Sequence, residues 1–416
     1  MPAATDPEPA SSHAGSAPRE VAPNLALTLA GGGARGAYQA GVIRGLARHL
    51  PQLRFPILTG VSAGGINATF LASHPGPLGE SGPELEQLWA RLHLDDVFRI
   101  DPPSLVSNFA RWVARLASGG APLTPSLRGL VDTKPLHDLV AHAVPTVDGE
   151  IVGIARNLER GRLRALALTT LNYSTGQTIT WVQGSHFTPW RRPRRKGIAT
   201  RFTVAHVMAS AALPLFFPAV RLGDAWHGDG GVRLDAPLSP ALHLGADRIL
   251  AVSPRYELSE AEADRPKVTG YPPPAQILSQ LMGAIFLDVL DRDVRNLELV
   301  NRLITQLPLE ERGALRPIDI LVIRPSEDLG RLAAEYEPQL PKAFRYLTRS
   351  LGTKETKAPD SLSIVMFLPE YLERLLAIGE RDVVARLPEI RRLVGMEGEA
   401  LQYSTLASDK RQEGRP

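Results

Sequence analysis

Ser62 lies in Gly60-Val61-Ser62-Ala63-Gly64, a Gly-x-Ser-x-Gly pattern. That pattern places a serine on a sharp strand-to-helix turn, too crowded for side chains two residues to either side. The apolar run Phe55 to Thr59 before it reads as a short strand, and the stretch after Gly64 as a helix with Ile66, Phe70 and Leu71 on one side. Ser62 then stands at a helix start, where unpaired N–H groups and the positive end of the helix dipole favour developing negative charge. A serine hydroxyl is a weak nucleophile unaided, so acyl transfer also requires a base and an oxyanion site. Two glycines around a serine arise by chance in a chain with 36 glycines, and the pattern means a nucleophile only if those partners exist.

An oxyanion site is offered by Gly31-Gly32-Gly33-Ala34-Arg35-Gly36. The loop follows an apolar run, Leu25 to Ala30, that suits a buried strand, and precedes a helical stretch, Ala37 to Leu50. Strand, glycine loop and helix start form a nest of N–H groups for an anion. The same glycines fit a dinucleotide fingerprint, but that motif wants an acidic residue about 20 positions on. None occurs from Ala37 through Gly79, and no Gly-Lys-Ser/Thr follows to make a P-loop. If the first two strands are parallel neighbours, Gly31 to Gly36 and Ser62 emerge at the same sheet edge. Arg35 either steadies the loop, meets an anionic head group, or is an ordinary solvated arginine.

The candidate base is Asp229, in Asp229-Gly230-Gly231, where a tight loop can aim a carboxylate into a cleft; alone, such a tripeptide is only a turn. A Ser-His-Asp triad in α/β-hydrolase order needs a histidine after the acid. The one downstream, His243, follows Asp229 by only fourteen residues in an expected helix, so His206 and His227 are the reserve bases in another chain order. His137 and His142 are spaced five apart, wrong for two ligands on one helical face, and read as structural. Ahead of Asp229, Met208, Leu213, Leu215, Phe216 and Phe217 read as core or as the wall of an acyl-chain pocket.

The elements that must position these groups follow from the rest of the chain. At 416 residues and 44% hydrophobic content it can bury one large α/β core or two smaller ones. Forty-seven basic against 44 acidic residues, a net of +3, give no general case for nucleic acid. With no cysteine there is neither a disulfide framework nor a thiolate metal site. The first two dozen residues are rich in Pro, Ala and Ser and lack a signal-type apolar core, and the two uncharged stretches, Phe55 to Gly79 and Phe202 to Val220, are interrupted by Pro, Gly or polar residues. The expected location is cytoplasmic or at a membrane periphery.

Helices are expected over Glu84 to Leu94, Leu105 to Leu116 and Lys134 to Ala143, with Pro- and Gly-rich breaks at Asp101-Pro102-Pro103 and Gly119 to Pro125. Strands are expected at Arg162 to Asn172, Gln177 to Gln183, Arg248 to Val252 and, as an edge, Ile318 to Ile323. Pro274 to Leu307 reads as one long amphipathic helix striped with Leu278, Met282, Ile285, Val289, Leu297 and Ile304, and Leu362 to Val394 as two more helices. The charge cluster Arg191-Arg192-Pro193-Arg194-Arg195-Lys196 is a solvated loop or an attraction to anionic phospholipid surfaces.

Together the three loops resemble the patatin-like phospholipases, specifically their bacterial branch: Gly31 to Gly36 is similar to the family's glycine loop, Gly60 to Gly64 to its serine elbow, and Asp229 to Gly231 to its acid motif. The neighbours Gly36-Ala37-Tyr38-Gln39-Ala40-Gly41, Ala209-Ser210-Ala211-Ala212-Leu213-Pro214 and Ala236-Pro237-Leu238-Ser239-Pro240 are similar as well, while Ala30 stands where many members carry an aspartate. The resemblance implies a three-layer α/β/α sandwich with a mostly parallel central sheet. It further implies a Ser-Asp dyad of Ser62 and Asp229 without a catalytic histidine, no metal or other cofactor, and phospholipid or other acyl-lipid esters as substrate. The chain then divides into a flexible leader (1–24), a catalytic core (25–250), a C-terminal helical extension packed on it (251–403) and a loose tail (404–416). Two other readings stand beside this one: a histidine-based carboxylesterase on small soluble esters, and a non-enzymatic module binding lipid or a partner through the basic loop and the long helix.

Overall fold

The strand expected at the N-terminal end forms as β1 (Leu25–Leu29), buried along its whole length. The structure, a computed structural model, describes residues 24–99, 129, 131–185, 187–268, 270–356 and 359–396. The leader expected over residues 1–24, apart from Asn24, the helix expected at Leu105 to Leu116 with its flanking breaks, and the tail from Ser404 lie outside the described residues. After β1 come α1 (Gly36–His49), β2 (Ile57–Gly60), α2 (Ala63–Ser73), α3 (Leu78–Ala90), α4 (Lys134–Ala143), α5 (Val152–Glu159) and β3 (Ala165–Asn172). These lead to β4 (Thr178–Gly184), a hairpin of β5 (Arg191–Arg192) and β6 (Arg195–Ala199), α6 (Val204–Ser210), β7 (Val220–Leu222), β8 (Ala225–Asp229) and β9 (Arg248–Val252). The remaining elements used below are α7 (Pro274–Met282), α8 (Val289–Gln306), β10 (Asp319–Ile323), α9 (Asp360–Val365), α10 (Pro369–Ala385) and α11 (Leu387–Val394).

The sheet runs in the order β10-β9-β1-β2-β3-β4-β6-β5, and its first five strands, from the edge strand β10 through β3, are parallel throughout. Short apolar strands joined by helical crossovers produce this pattern, because a parallel strand cannot return by a tight turn. β1 shows why helices must cover both faces. Leu25, Leu27 and Leu29 belong to one core with residues of α1, α2, α3 and α10, whereas Ala26 and Ala30 pack with Leu238, Ala241, Leu290 and Val294 on the other face. The result is the expected three-layer α/β/α arrangement. On the first face α10 lies along α1, tied by Tyr38 Oη donating to Asp382 Oδ2 (3.1 Å) and by Arg44 paired with Glu380 (2.6 Å).

β8 departs from the parallel pattern in a way that matters for the site. β2 pairs with β3 only as far as Gly60 opposite Leu168. Beyond that point antiparallel β8 takes the vacated edge, with Asp229 opposite Thr170. Gly60 and Asp229 therefore flank one strand two residues apart, about 7 Å along it.

The helix expected as one over Pro274 to Leu307 is two, α7 and α8, joined by a π-helical turn at Gly283–Leu287. Leu278, in α7, is 38% exposed, whereas Phe286, within the wider turn, is buried. Likewise Leu362 to Val394 holds parts of three helices, because Pro369 and Pro388 each start a new one. Among the described residues no helix is long and apolar enough to cross a membrane.

Candidate active site

Ser62 is held in a backbone conformation that non-glycine residues rarely adopt, φ 56° and ψ −133°. Its own amide secures it, donating to both the carbonyl and the hydroxyl oxygen of Ser210, each at 3.2 Å. Ser210 in turn donates from its hydroxyl to the carbonyl of Thr169 (2.8 Å), which anchors the elbow to β3. The flanking glycines are required by close approach: a Cβ on Gly60 would sit 2.5 Å from the Gly64 carbonyl oxygen, and one on Gly64 2.3 Å from that of Leu29. The Gly-x-Ser-x-Gly spacing is thus the footprint of β2 turning into α2 hard against β1.

Asp229 ends β8 with no exposed surface, and Gly230 and Gly231 open the 3-10 turn that follows it. Its Oδ1 accepts from the Gly231 amide (2.8 Å), while Oδ2 is buried without a partner in hydrogen-bond geometry. The Ser62 hydroxyl stands against this carboxylate, near enough to hold its pKa down as a side-chain donor, yet the bond is not drawn tight. Burial dominates and pushes the Asp229 pKa up to about 7, with the Ser62 hydroxyl and the Gly231 amide opposing it.

The glycine loop lies alongside. An ideal Cβ on Gly31 would be 3.1 Å from the Ser62 Cβ. The amides of Gly31, Gly32, Gly33 and Ala34 meet no acceptor among the described residues. Arg35 and Gly36, expected in the same oxyanion loop, differ: closure of the 3-10 turn takes the Arg35 amide to the Gly32 carbonyl (3.1 Å) and the Gly36 amide to those of Gly33 and Ala34. Nor does the Arg35 side chain reach out to a head group, since it is buried at 2% exposure and points to the C-terminal part of the chain. Sequence reasoning missed Ala63, whose amide also has no acceptor among the described residues. Its place as the first helical residue after the elbow was the available signal.

A buried polar relay fixes the loop to the helices, and sequence reasoning missed this as well. Gln39 donates from Nε2 to the Ala30 carbonyl (2.6 Å), Asn67 Nδ2 donates to the Gly36 carbonyl and to Gln39 Oε1 (both 3.1 Å), and Trp89 Nε1 donates to Asn67 Oδ1 (2.8 Å). Asn67→Ala leaves the indole and the Gln39 carbonyl without partners, so denaturant unfolding is expected to show a loss of about 3 kcal/mol. A loss below a few tenths would mean that water replaces the amide.

From Ser62, Gly32 and Gly33 a cavity runs between α2, α3 and α4, walled by Phe70, Leu88, Trp89, Phe98, Leu139 and Phe216. No charged side chain lines it among the described residues. Leu213 and Phe217 line it too. Met208 is instead core, and Leu215 stands 69% exposed at the outer bend, its φ at 66°. The reserve bases are engaged elsewhere. His206 Nδ1 is within 2.9 Å of the Thr203 hydroxyl and burial depresses its pKa to about 4; His227 Nδ1 is 3.0 Å from the Thr170 hydroxyl, with its pKa lowered by burial and by Lys196. Both pack on Trp181, and His243 stacks on Trp190. Among the described residues no cluster of His, Cys, Asp or Glu is arranged to hold a metal ion.

The model of the patatin-like phospholipase family matches residues 27–242, a span containing all three loops. No curated protein matches the chain. Solved structures similar to it include VipD from Legionella pneumophila, at 13% identity over 88% of this chain and 67% of that one, with a TM-score of 0.36. Human GIVD cytosolic phospholipase A2 in complex with methyl gamma-linolenyl fluorophosphonate is 15% identical over 90% of this chain and 59% of that one, with a TM-score of 0.42. ExoU of Pseudomonas aeruginosa, in its complex with SpcU, is 16% identical over 93% and 60%, with a TM-score of 0.29. The chain thus spans about three-fifths of the length of the last two. With over half its length matched by the family model, the chain belongs to the patatin-like phospholipase family.

Proposed function

We propose that this protein is a serine acyl hydrolase that cleaves lipid acyl esters with Ser62 as nucleophile and Asp229 as base. The observation that carries the reading is the half-unpartnered, fully buried Asp229 carboxylate beside the strained Ser62, at the head of an uncharged apolar cavity. Asp229 Oδ2 takes the hydroxyl proton as Ser62 Oγ bonds to the ester carbonyl carbon. The carbonyl oxygen becomes an oxyanion held by the amides of Gly32 to Ala34, with the Ala63 amide at the adjacent helix start. Collapse breaks the ester C–O bond, and the departing alcohol takes the proton from Asp229. A water then gives a proton to Asp229 and attacks the acyl-serine; the fatty acid leaves and Ser62 regains its proton. The free amides of the loop, the raised Asp229 pKa and the engagement of His206 and His227 elsewhere support this dyad over a histidine triad.

The cavity takes the acyl chain. The hairpin Arg191 to Lys196, exposed from Arg191 to Arg194 and half-buried at Arg195 and Lys196, supports peripheral contact with anionic phospholipid. The test is incubation of the purified protein with phospholipid vesicles and mass spectrometry of released fatty acid, together with labelling by a serine-directed fluorophosphonate. Neither release nor labelling of Ser62 would leave the reading without support. Within a series of soluble esters, kcat/KM is expected to rise with chain length by at most roughly fourfold per buried methylene until the cavity is filled. Equal rates for acetyl and long-chain esters would place the acyl chain outside it.

A further inference from the structure

The buried guanidinium of Arg35 is gripped from outside the family-matched segment. Its Nε donates to Ser363 Oγ (2.7 Å), Nη1 to the Pro254 carbonyl (3.2 Å) and Nη2 to Asp360 Oδ1, all beyond residue 242. The same segment presses on the loop directly. Gly33 has φ +56°, and an ideal Cβ there would lie 2.2 Å from the Ile364 carbonyl oxygen, so the loop fits only as glycine against α9. Ile364, Val365 and Phe367 then continue as cavity wall. α9 is also tied to α7, through the Ser361 amide donating to Ser279 Oγ (3.1 Å). The turn after α7 lays Phe286 against Gly231, beside Asp229.

We propose that the segment Asp360 to Phe367 is a latch that completes the active site, with Asp360 and Ser363 as positioning residues. Through Arg35 they set where the amides of Gly32, Gly33 and Ala34 point, and so how well an oxyanion is met. A planar guanidinium held by three acceptors fixes direction as well as charge. The inference rests on the reading of those amides as oxyanion donors.

Two variants of the full chain test it, Asp360→Ala and Ser363→Ala, with Thr348→Val as a comparison. Thr348 lies in the same C-terminal region and donates to Glu337 (2.9 Å), away from the loop. Asp360→Ala is expected to lower kcat for ester hydrolysis about 10²-fold with KM within about twofold, as for a misplaced oxyanion donor. Ser363→Ala, which loses one of the three grips, is expected to lose roughly tenfold and carries the test if Asp360→Ala does not fold. Thr348→Val is expected to lower the unfolding temperature but to keep kcat. Hydrogen exchange at the Arg35 and Gly36 amides, which close the 3-10 turn, is expected to speed up in both latch variants. Wild-type kcat in Ser363→Ala with unchanged exchange at those amides would overturn the latch, and so would an equal fall of kcat in Thr348→Val. If wild type and Ser62→Ala are equally inactive, the hydrolase reading fails by itself, and the exchange measurement still decides whether the grip orders the loop.

Discussion

Ser62→Ala is expected to abolish fatty-acid release, with a fall of about 10⁴-fold or more in kcat, because removing a nucleophile removes the covalent path as a whole. The fold is expected to survive. Ser62 is held through its amide and carbonyl rather than through its hydroxyl, and alanine meets the same strain at φ 56° that serine already bears. The unfolding free energy is therefore expected to move by no more than about 1 kcal/mol. Asp229 loses its neighbouring hydroxyl in this variant, so its pKa is expected to rise further. A variant that keeps a tenth of wild-type activity would assign the chemistry to another group.

Asp229→Asn has the second large effect, and it separates activity from stability. As a base, Asp229 must be ionised, so kcat/KM of the wild type is expected to rise with pH, reach half-maximum near pH 7 and level off above it. The asparagine variant is expected to lose roughly 10³-fold or more across the range. Stability runs the other way. Burial raises the carboxyl from 3.8 to about 7 in the folded chain, so between those values the folded state binds more protons than the unfolded state. Stability is then fully retained below about pH 4 and declines as pH rises towards 7, on the order of 4 kcal/mol at most for a shift of that size. Asparagine is never ionised and keeps an oxygen for the Gly231 amide. It is expected to make the protein more stable than wild type at pH 8, with the difference vanishing near pH 4. Urea unfolding of both proteins at the two pH values checks this. Equal stabilities at pH 8 would mean that the carboxylate is better solvated than its burial implies.

The fold class was legible because its signals are local. Leu25 to Leu29, Ile57 to Gly60 and Arg248 to Val252 are short apolar runs separated by helical spacing, and buried parallel strands have few other sequences available to them. The long helix at Pro274 to Leu307 was misread for the complementary reason. A 3.6-residue stripe does not reveal a π-turn, in which Phe286 packs against Gly231, far away in the sequence. The roles of Gln39, Asn67 and Trp89 stayed hidden because an amide or indole inside an apolar helix looks the same whether it meets water or a buried partner.

By itself the sequence determined the local turns: an elbow that needs glycine on both sides of Ser62, a glycine loop between strand and helix, and an aspartate leading a tight turn. Only the tertiary structure decided that β8 takes over the edge of β3 where β2 stops, which sets Asp229 beside Ser62. It alone turned Arg35 inward onto Asp360 and Ser363, more than three hundred residues away. The physical reason is range. Backbone conformation is set by neighbours within a few positions, whereas the desolvation of a carboxylate and the direction of a guanidinium depend on which distant segments close over them.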